Sequence, residues 1–295
     1  MDLVIRCEKL PVPGETLLAR SSSEISGGKG ANQAVAAARA GGQVSMIGRV
    51  GDDALAERLV ANLKNEGVDC SQVQFTKDCS SGLAIVAVED SGQNSIMVVP
   101  GSNRKVTAAD VGKARSVIES SDVLLLQLEV PLDTVREAIL VAKQAGVKVI
   151  LDPAPAPKTL PEEFLKVDLL CPNESEAEAL TGISVQMVEE AIQAANVLRT
   201  KGAATVIITM GKQGALLVDG NGHQMIPALP LKAKDTTAAG DAFAGALGAY
   251  WAMETPLKEA IRFANAAGAI AASRFGAQPS MGDLEEITSL LSEKS

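Results

Sequence analysis

Aromatic side chains are nearly missing from this chain. Its 295 residues hold one tryptophan, one tyrosine and five phenylalanines, 2% in all. That argues against a surface that binds single-stranded nucleic acid by stacking bases on rings. It also leaves the core to alanine, valine, leucine and isoleucine. Histidine is as scarce: the single one, His223, stands in the polar stretch Asp219-Gly220-Asn221-Gly222-His223, which reads as a hairpin turn. With no Gly-x-Ser-x-Gly elbow, a serine–histidine hydrolase has no catalytic set. Cys7, Cys70, Cys79 and Cys171 show no Cys-x-x-Cys spacing. They argue against zinc and for free thiols in a reducing cytoplasm. No apolar run reaches the ~18 residues of a membrane span, and no signal-peptide pattern opens the chain. Positive charge is short as well, with 27 Lys and Arg against 36 Asp and Glu, a net charge of −9. Such a field disfavours nucleic acid and anionic membranes, so the expected partners are small molecules.

What is present is an alternation of apolar runs and helical patterns. Strands are expected at residues 123–128, 147–151, 167–171, 205–209 and 215–218. Helices are expected at 132–145, ending at Gly146, at 175–180 behind an Asn173 cap, and at 188–200, 242–251 and 257–274. This order predicts an α/β fold, a doubly wound, mostly parallel sheet flanked by helices. Glu129, Asp152, Asn173 and Glu176 follow expected strands and Thr209 and Gly211 close one, all at carboxyl ends, where open parallel sheets bind ligands. The N-terminal part differs. Residues 3–5, 15–19, 83–88 and 95–99 are short, partly alternating and separated by the turn chemistry of Pro13-Gly14 and Asp90-Ser91-Gly92-Gln93-Asn94. They predict a small antiparallel β lid, which covers the site or pairs with a second copy. The expected division is a lid of residues 1–26 with 81–100, and a nucleotide- and sugar-binding core of 27–80 with 101–295.

Two motifs carry chemistry. Asp235-Thr236-Thr237-Ala238-Ala239-Gly240-Asp241 places small residues before a carboxylate at the start of a helix. A helix start offers unpaired N–H groups and the positive end of the dipole to an anion. Asp241 beside it suits a base that deprotonates a hydroxyl during phosphoryl transfer. Ser26-Gly27-Gly28-Lys29-Gly30-Ala31-Asn32-Gln33 opens another helix. It is neither a Walker A loop nor Gly-x-Gly-x-x-Gly. Asn32 offers a donor and an acceptor of the kind that sugar hydroxyls need.

On these residues the chain resembles the ribokinases, in the PfkB carbohydrate kinase superfamily that also holds fructokinases and adenosine kinases. Further matches are Gln127-Leu128-Glu129, Asp152-Pro153-Ala154-Pro155-Ala156, Pro172-Asn173-Glu174-Ser175-Glu176, Thr209-Met210-Gly211 and Gly276-Ala277-Gln278-Pro279-Ser280. The resemblance implies ATP-dependent phosphorylation of the D-ribose 5-hydroxyl, with Mg²⁺ and an activating K⁺, in a homodimer formed through the lid. It implies Asp241 as the base and Ala238, Ala239 and Gly240 as anion-hole donors. Asp2, Gly28, Lys29, Asn32 and Glu129 would hold the sugar. Asn173, Thr209, Gly211, Gly214, Gly240 and Asn265 would line the nucleotide site. Glu176 would hold Mg²⁺ through water. Asp235, Thr237, Ala271, Arg274, Gly276 and Ser280 would build the monovalent-cation site, mostly from carbonyls. Relatives carry an apolar strand and a Gly-Ser-x-Asn segment ahead of the aspartate that matches Asp2, whereas Met1 directly precedes it here. The expectation is a missing central strand with unpaired ladder groups on its neighbours, and a misassigned start is favoured over truncation or decay. Two alternatives stay open: a kinase for another small sugar or nucleoside, and a non-catalytic sugar- or nucleotide-binding protein.

Overall fold

The computed structural model describes residues 1–91 and 93–293. Gly92 of the expected turn at 90–94, and the last two positions of the expected core, Lys294 and Ser295, lie outside the described residues. In chain order the elements are β1 (Asp2–Cys7), β2 (Ser21–Ile25), α1 (Lys29–Arg39), β3 (Ser45–Val50), α2 (Ala54–Asn65), β4 (Asp69–Phe75), β5 (Leu83–Glu89) and β6 (Asn94–Val99). Then come α3 (Ala108–Lys113), α4 (Arg115–Glu119), β7 (Val123–Leu126), α5 (Leu132–Ala145), β8 (Lys148–Leu151), β9 (Leu169–Leu170), α6 (Glu174–Thr181) and α7 (Val188–Thr200). The chain closes with β10 (Thr205–Thr209), β11 (Gly214–Asp219), β12 (Gly222–Pro227), α8 (Ala239–Ala252), α9 (Leu257–Ala272) and α10 (Leu284–Glu293).

The main sheet runs β12-β11-β10-β9-β8-β7, parallel from β7 to β10 and antiparallel beyond. Alternate residues of each strand face opposite layers. Val206 and Ile208 of β10 join Val149 and Leu151 against α5 and α7, while Ile207 and Ile150 join Phe243 and Leu247 of α8 and Ala260 and Ile261 of α9. Both faces are thereby covered, as the near-continuous apolar strands require.

A second parallel pair, β3 with β4, stands apart from this sheet. Among the described residues no strand joins β3 to β7, so each is paired on one side only. All four residues of β7 are half-buried, whereas Val149, Ile150 and Leu151 of β8 are fully buried. The small sheet runs β2-β1-β5-β6; its outer pairings are antiparallel and its central one, β1 with β5, is parallel.

The expected strand at 15–19 is a loop instead. Glu15 accepts from Lys9 Nζ at 2.7 Å and Val12 N–H at 3.1 Å, which holds a turn, and Leu18 is 95% exposed. The partner of β1 comes from the polar Ser21–Ile25 stretch. His223 sits on β12 opposite Val218, next to the hairpin turn.

α1 and α8 approach each other backbone to backbone. A Cβ on Gly245 of α8 would lie 2.4 Å from the Gln33 carbonyl oxygen and 2.6 Å from Ala36 Cβ of α1. The alanines on these faces are what allow the contact, and it fixes the start of one helix relative to the other.

Candidate active site

Three segments bring the chemistry to one cleft: the start of α1, the start of α8, and the loops at the carboxyl ends of β7, β8, β9 and β10. Gly28 caps α1 with φ 94°, a left-handed conformation that glycine adopts without strain. Gly27 is needed for space: a Cβ there would lie 2.1 Å from Asp2 Oδ2. The first turn of α1 meets Glu129, whose Oε2 accepts from the Lys29 N–H at 3.1 Å, a carboxylate on the positive end of a helix.

α8 begins at Ala239, so Gly240 and Asp241 occupy its first turn, whose N–H groups have no partner within the helix. Ala239, expected among the anion donors, already donates its N–H to the Thr236 carbonyl at 3.2 Å. Asp241 is buried. Its Oδ2 accepts from Asn32 Nδ2 at 2.8 Å and its Oδ1 from Gln33 Nε2 at 3.1 Å. Burial pushes its carboxyl up, opposed by Lys29 and by these two amides.

The facing wall comes from the sheet. Lys29, Asp152, Cys171, Asn173, Glu176, Thr209, Gly240, Phe243 and Ala244 line a small cleft. Asn173 and Glu176 form a reciprocal cap on α6: Glu176 N–H donates to Asn173 Oδ1 and Asn173 N–H to Glu176 Oε2, each at 2.8 Å. The Glu176 side chain is thus tied to the cleft wall.

Charge is unevenly balanced here. Burial pulls Lys29 down, but Asp241, Asp152, Glu176 and Glu129 outweigh it and hold the ammonium above its usual range. Burial raises Asp2, Glu129 and Glu176. It raises Asp152 to about 7, with Glu176 and Asp241 adding to the effect and Lys29 and Gln33 opposing it. One lysine does not neutralise these carboxylates, so a polyphosphate fits the cleft only together with its own cations. The acidic wall therefore fits a divalent cation carried in with a nucleotide.

That imbalance makes a stability prediction. Asp152 holds its proton more tightly folded than unfolded. Its favourable contribution is complete below its ordinary value of 3.8 and is lost as the pH rises through about 7. Asp152→Asn removes this dependence. In chemical unfolding without nucleotide, the variant should match the parent near pH 4. It should be more stable above pH 7, by on the order of 4 kcal/mol at 1.36 kcal/mol per pH unit. An equal difference at both pH values would contradict this assignment.

Other expected site residues fall elsewhere. Asn265 Nδ2 donates to the Ile226 and Pro227 carbonyls at 3.0 and 3.2 Å, anchoring β12 to α9. Gly214 is required by the hairpin, since a Cβ would lie 2.1 Å from the Ile226 carbonyl oxygen. Gly211 takes φ 48° in the turn after β10. Of the expected cation residues, Asp235 and Thr237 precede α8, Ala271 lies in the last turn of α9, and Arg274, Gly276 and Ser280 follow it. Asp235 N–H donates to the Ala272 carbonyl at 3.2 Å, and the Asp235 carboxylate accepts from Thr237 N–H and Gly276 N–H, each at 3.0 Å. Burial raises that carboxyl, but these donors and the Thr237 hydroxyl outweigh it and hold it below the usual range. The Arg274 guanidinium is paired with Glu286 at 2.5 Å, and Ser280 Oγ donates to the Ala277 carbonyl, which leaves backbone carbonyls as the available donors to a cation. Among the described residues no group of three His, Cys, Asp or Glu side chains is arranged for a metal, and no helix is long and apolar enough to cross a membrane. Sequence reasoning gave no role to Gln33, Gln127, Gln278, Cys171 or Phe243. The three glutamines lie inside the quoted motifs; nothing in the sequence marked Cys171 or Phe243.

A buried carboxylate and open N–H groups in one helical turn, beside a polar cleft, fit a small-molecule phosphotransferase. The chain belongs to the pfkB family carbohydrate kinases, whose sequence profile matches residues 1–283. It is 40% identical over 291 residues to a ribokinase of Haemophilus influenzae, covering 98% of this chain and 95% of that one. A Salmonella typhimurium deoxyribokinase is 37% identical, with 99% and 96% covered. A bifunctional ribokinase/ribose-5-phosphate isomerase A of Fructilactobacillus sanfranciscensis is 40% identical over 99% of this chain, which spans 55% of that protein. Among solved structures, the ribokinase of Thermotoga maritima superposes with a TM-score of 0.90 at 34% identity, covering 99% of this chain and 96% of that one. The Arabidopsis thaliana ribokinase complexed with ribose and ATP gives 0.92 at 32%, covering 98% and 95%.

Proposed function

We propose that this protein is an ATP-dependent ribokinase, converting D-ribose and ATP to D-ribose 5-phosphate and ADP. The observation that carries the reading is Asp241, buried in the first turn of α8 and held by two amides beside the open end of the helix. Asp2, Gly28, Lys29, Asn32 and Glu129 hold the sugar hydroxyls. Asp241 takes the proton of the 5-hydroxyl as that oxygen bonds to the γ-phosphorus and the bond to ADP breaks. Gly240 and Ala238 N–H groups stabilise charge on the transferring phosphoryl group. Thr209, Gly211 and Asn173 border the nucleotide. Gly214 and Asn265 support that border through the β11–β12 hairpin.

Magnesium supplies charge neutralisation to the phosphates when it enters with ATP. Glu176 and Asp152 would hold it through water. Carbonyls of Asp235, Thr237, Ala271, Arg274, Gly276 and Ser280 are the donors for an activating potassium ion. The exposed apolar strand β6, with Ile96, Met97, Val98 and Val99 all at least 45% exposed, supports a homodimer through the small sheet. We place the enzyme in the cytoplasm.

The test is ADP release with Mg²⁺ and D-ribose, 2-deoxy-D-ribose or adenosine, with and without K⁺. Release with ribose that rises with K⁺ is expected. Faster release with 2-deoxyribose, a possibility raised by the deoxyribokinase relatives, moves the acceptor but keeps the chemistry. Ribose binding by calorimetry without turnover would make the chain a binding protein.

A further inference from the structure

Asp241 is held by more than its immediate neighbours. Gln33, fully buried on α1, directs one Nε2 at two carboxylates: Asp152 Oδ2 at 2.6 Å and Asp241 Oδ1 at 3.1 Å. A primary amide has two N–H donors, and both are engaged. Its Oε1 accepts from Gln127 Nε2 at 2.5 Å, which fixes which way the amide faces. The reversed amide would turn an oxygen toward two buried carboxylates. Gly30 makes room for this lock: a Cβ there would lie 3.1 Å from Gln127 Oε1. On the other side of Asp241, Asn32 is oriented in the same way. Its Oδ1 accepts from Gln278 Nε2 at 3.2 Å, and Gln278 Oε1 accepts from Asn62 Nδ2 at 2.7 Å.

We propose that Gln33 is a positioning residue for phosphoryl transfer, aiming Asp241 at the acceptor hydroxyl through an amide that Gln127 and Asp152 together keep in one orientation. The inference rests on Asp241 being the base. Gln33, fully buried, faces Asp241 and Asp152 rather than either substrate, so its loss affects the reacting step and leaves binding nearly intact.

The test is steady-state kinetics of Gln33→Met, Gln127→Leu, their double variant and Asp241→Asn, with D-ribose and ATP varied separately. Gln33→Met removes both donors at similar volume. It should lower kcat about 10–100-fold, the range of a lost hydrogen bond to a charged group, with both KM values within threefold. Gln127→Leu, farther from the reacting atoms and only half-buried, should show a smaller loss of the same kind. The double variant should be no slower than Gln33→Met, because the two act through one amide. Multiplying losses, or a KM that rises as kcat falls, would overturn the proposal. So would an unchanged kcat in Gln127→Leu, which decides the matter if Gln33→Met does not fold. If Asp241→Asn keeps its turnover, the base assignment itself fails. If Asp241→Asn loses turnover and the glutamine variants do not, only the Gln33 proposal fails.

Discussion

Asp241→Asn should lose about 10²–10⁴-fold in kcat, the usual contribution of a general base, while the fold survives. The substitution keeps the volume of the side chain and removes the charge that burial disfavours. It also sets an amide nitrogen against either Asn32 Nδ2 or Gln33 Nε2, each of which now donates to a carboxylate oxygen. That mismatch limits any gain in stability to a kcal/mol or so. The KM for ATP should change little, because the N–H groups of the first turn remain. Stopped assays of ADP release with the variant and an unfolding curve decide the matter. Near-parental turnover from a folded variant would remove Asp241 from the mechanism.

The second large effect is expected from a single methyl group away from the cleft. Gly245→Ala puts a carbon 2.4 Å from the Gln33 carbonyl oxygen, 2.6 Å from Ala36 Cβ and 2.9 Å from Ala37 N. Alanine favours a helix by about 1 kcal/mol over glycine, so an uncrowded site would gain stability. Here the obstacles include main-chain atoms, which cannot rotate away, and α1 has to separate from α8. The expected cost is about 1–3 kcal/mol of stability, typical of overpacking. Turnover should fall as well, by about 10²-fold for a displacement near 1 Å, since Asn32 and Gln33 move with α1 while Asp241 moves with α8. Parental stability and parental kcat together would show that the helices repack freely, against the geometry described. Gly248, on the same helix, is the control: the nearest obstacle to a Cβ there is the flexible Leu125 side chain at 3.7 Å.

Legibility in the sequence followed the range of the forces involved. Leu132–Ala145 and Val188–Thr200 were predicted to the residue because their ends are local: Gly146 closes the first with φ 76°, and apolar spacing with acidic starts frames both. The Asn173 cap was equally local. β4 carries no strand signal of its own because Ser71, Gln72 and Gln74 break its apolar pattern, and its pairing with β3 is made across an intervening helix. The site was legible as motifs but not as a network. Asn32, Lys29 and Asp241 stood out through their neighbours. The amide that connects Asn32 to Gln278, however, joins residues 246 positions apart. No periodicity encodes which way an amide faces. Asn265 shows the converse: a polar residue in a helix whose donor serves a strand end rather than the cleft.

The first turn of α8 has a consequence for how such enzymes diversify. The N–H of Gly240, proposed to face the phosphate, and the carboxylate of Asp241 belong to adjacent residues of one helix. Their separation is a matter of helix geometry, at 1.5 Å of rise per residue. It works as a ruler that no lid movement can stretch. The groups proposed to face the acceptor, Asp2, Lys29 and Glu129, are carried on other segments. Taste for one sugar over another can then be rewritten at those positions while the measured step stays the same. Proteins named for ribose and for deoxyribose, both near 40% identity to this chain, are the outcome such a separation of labour predicts.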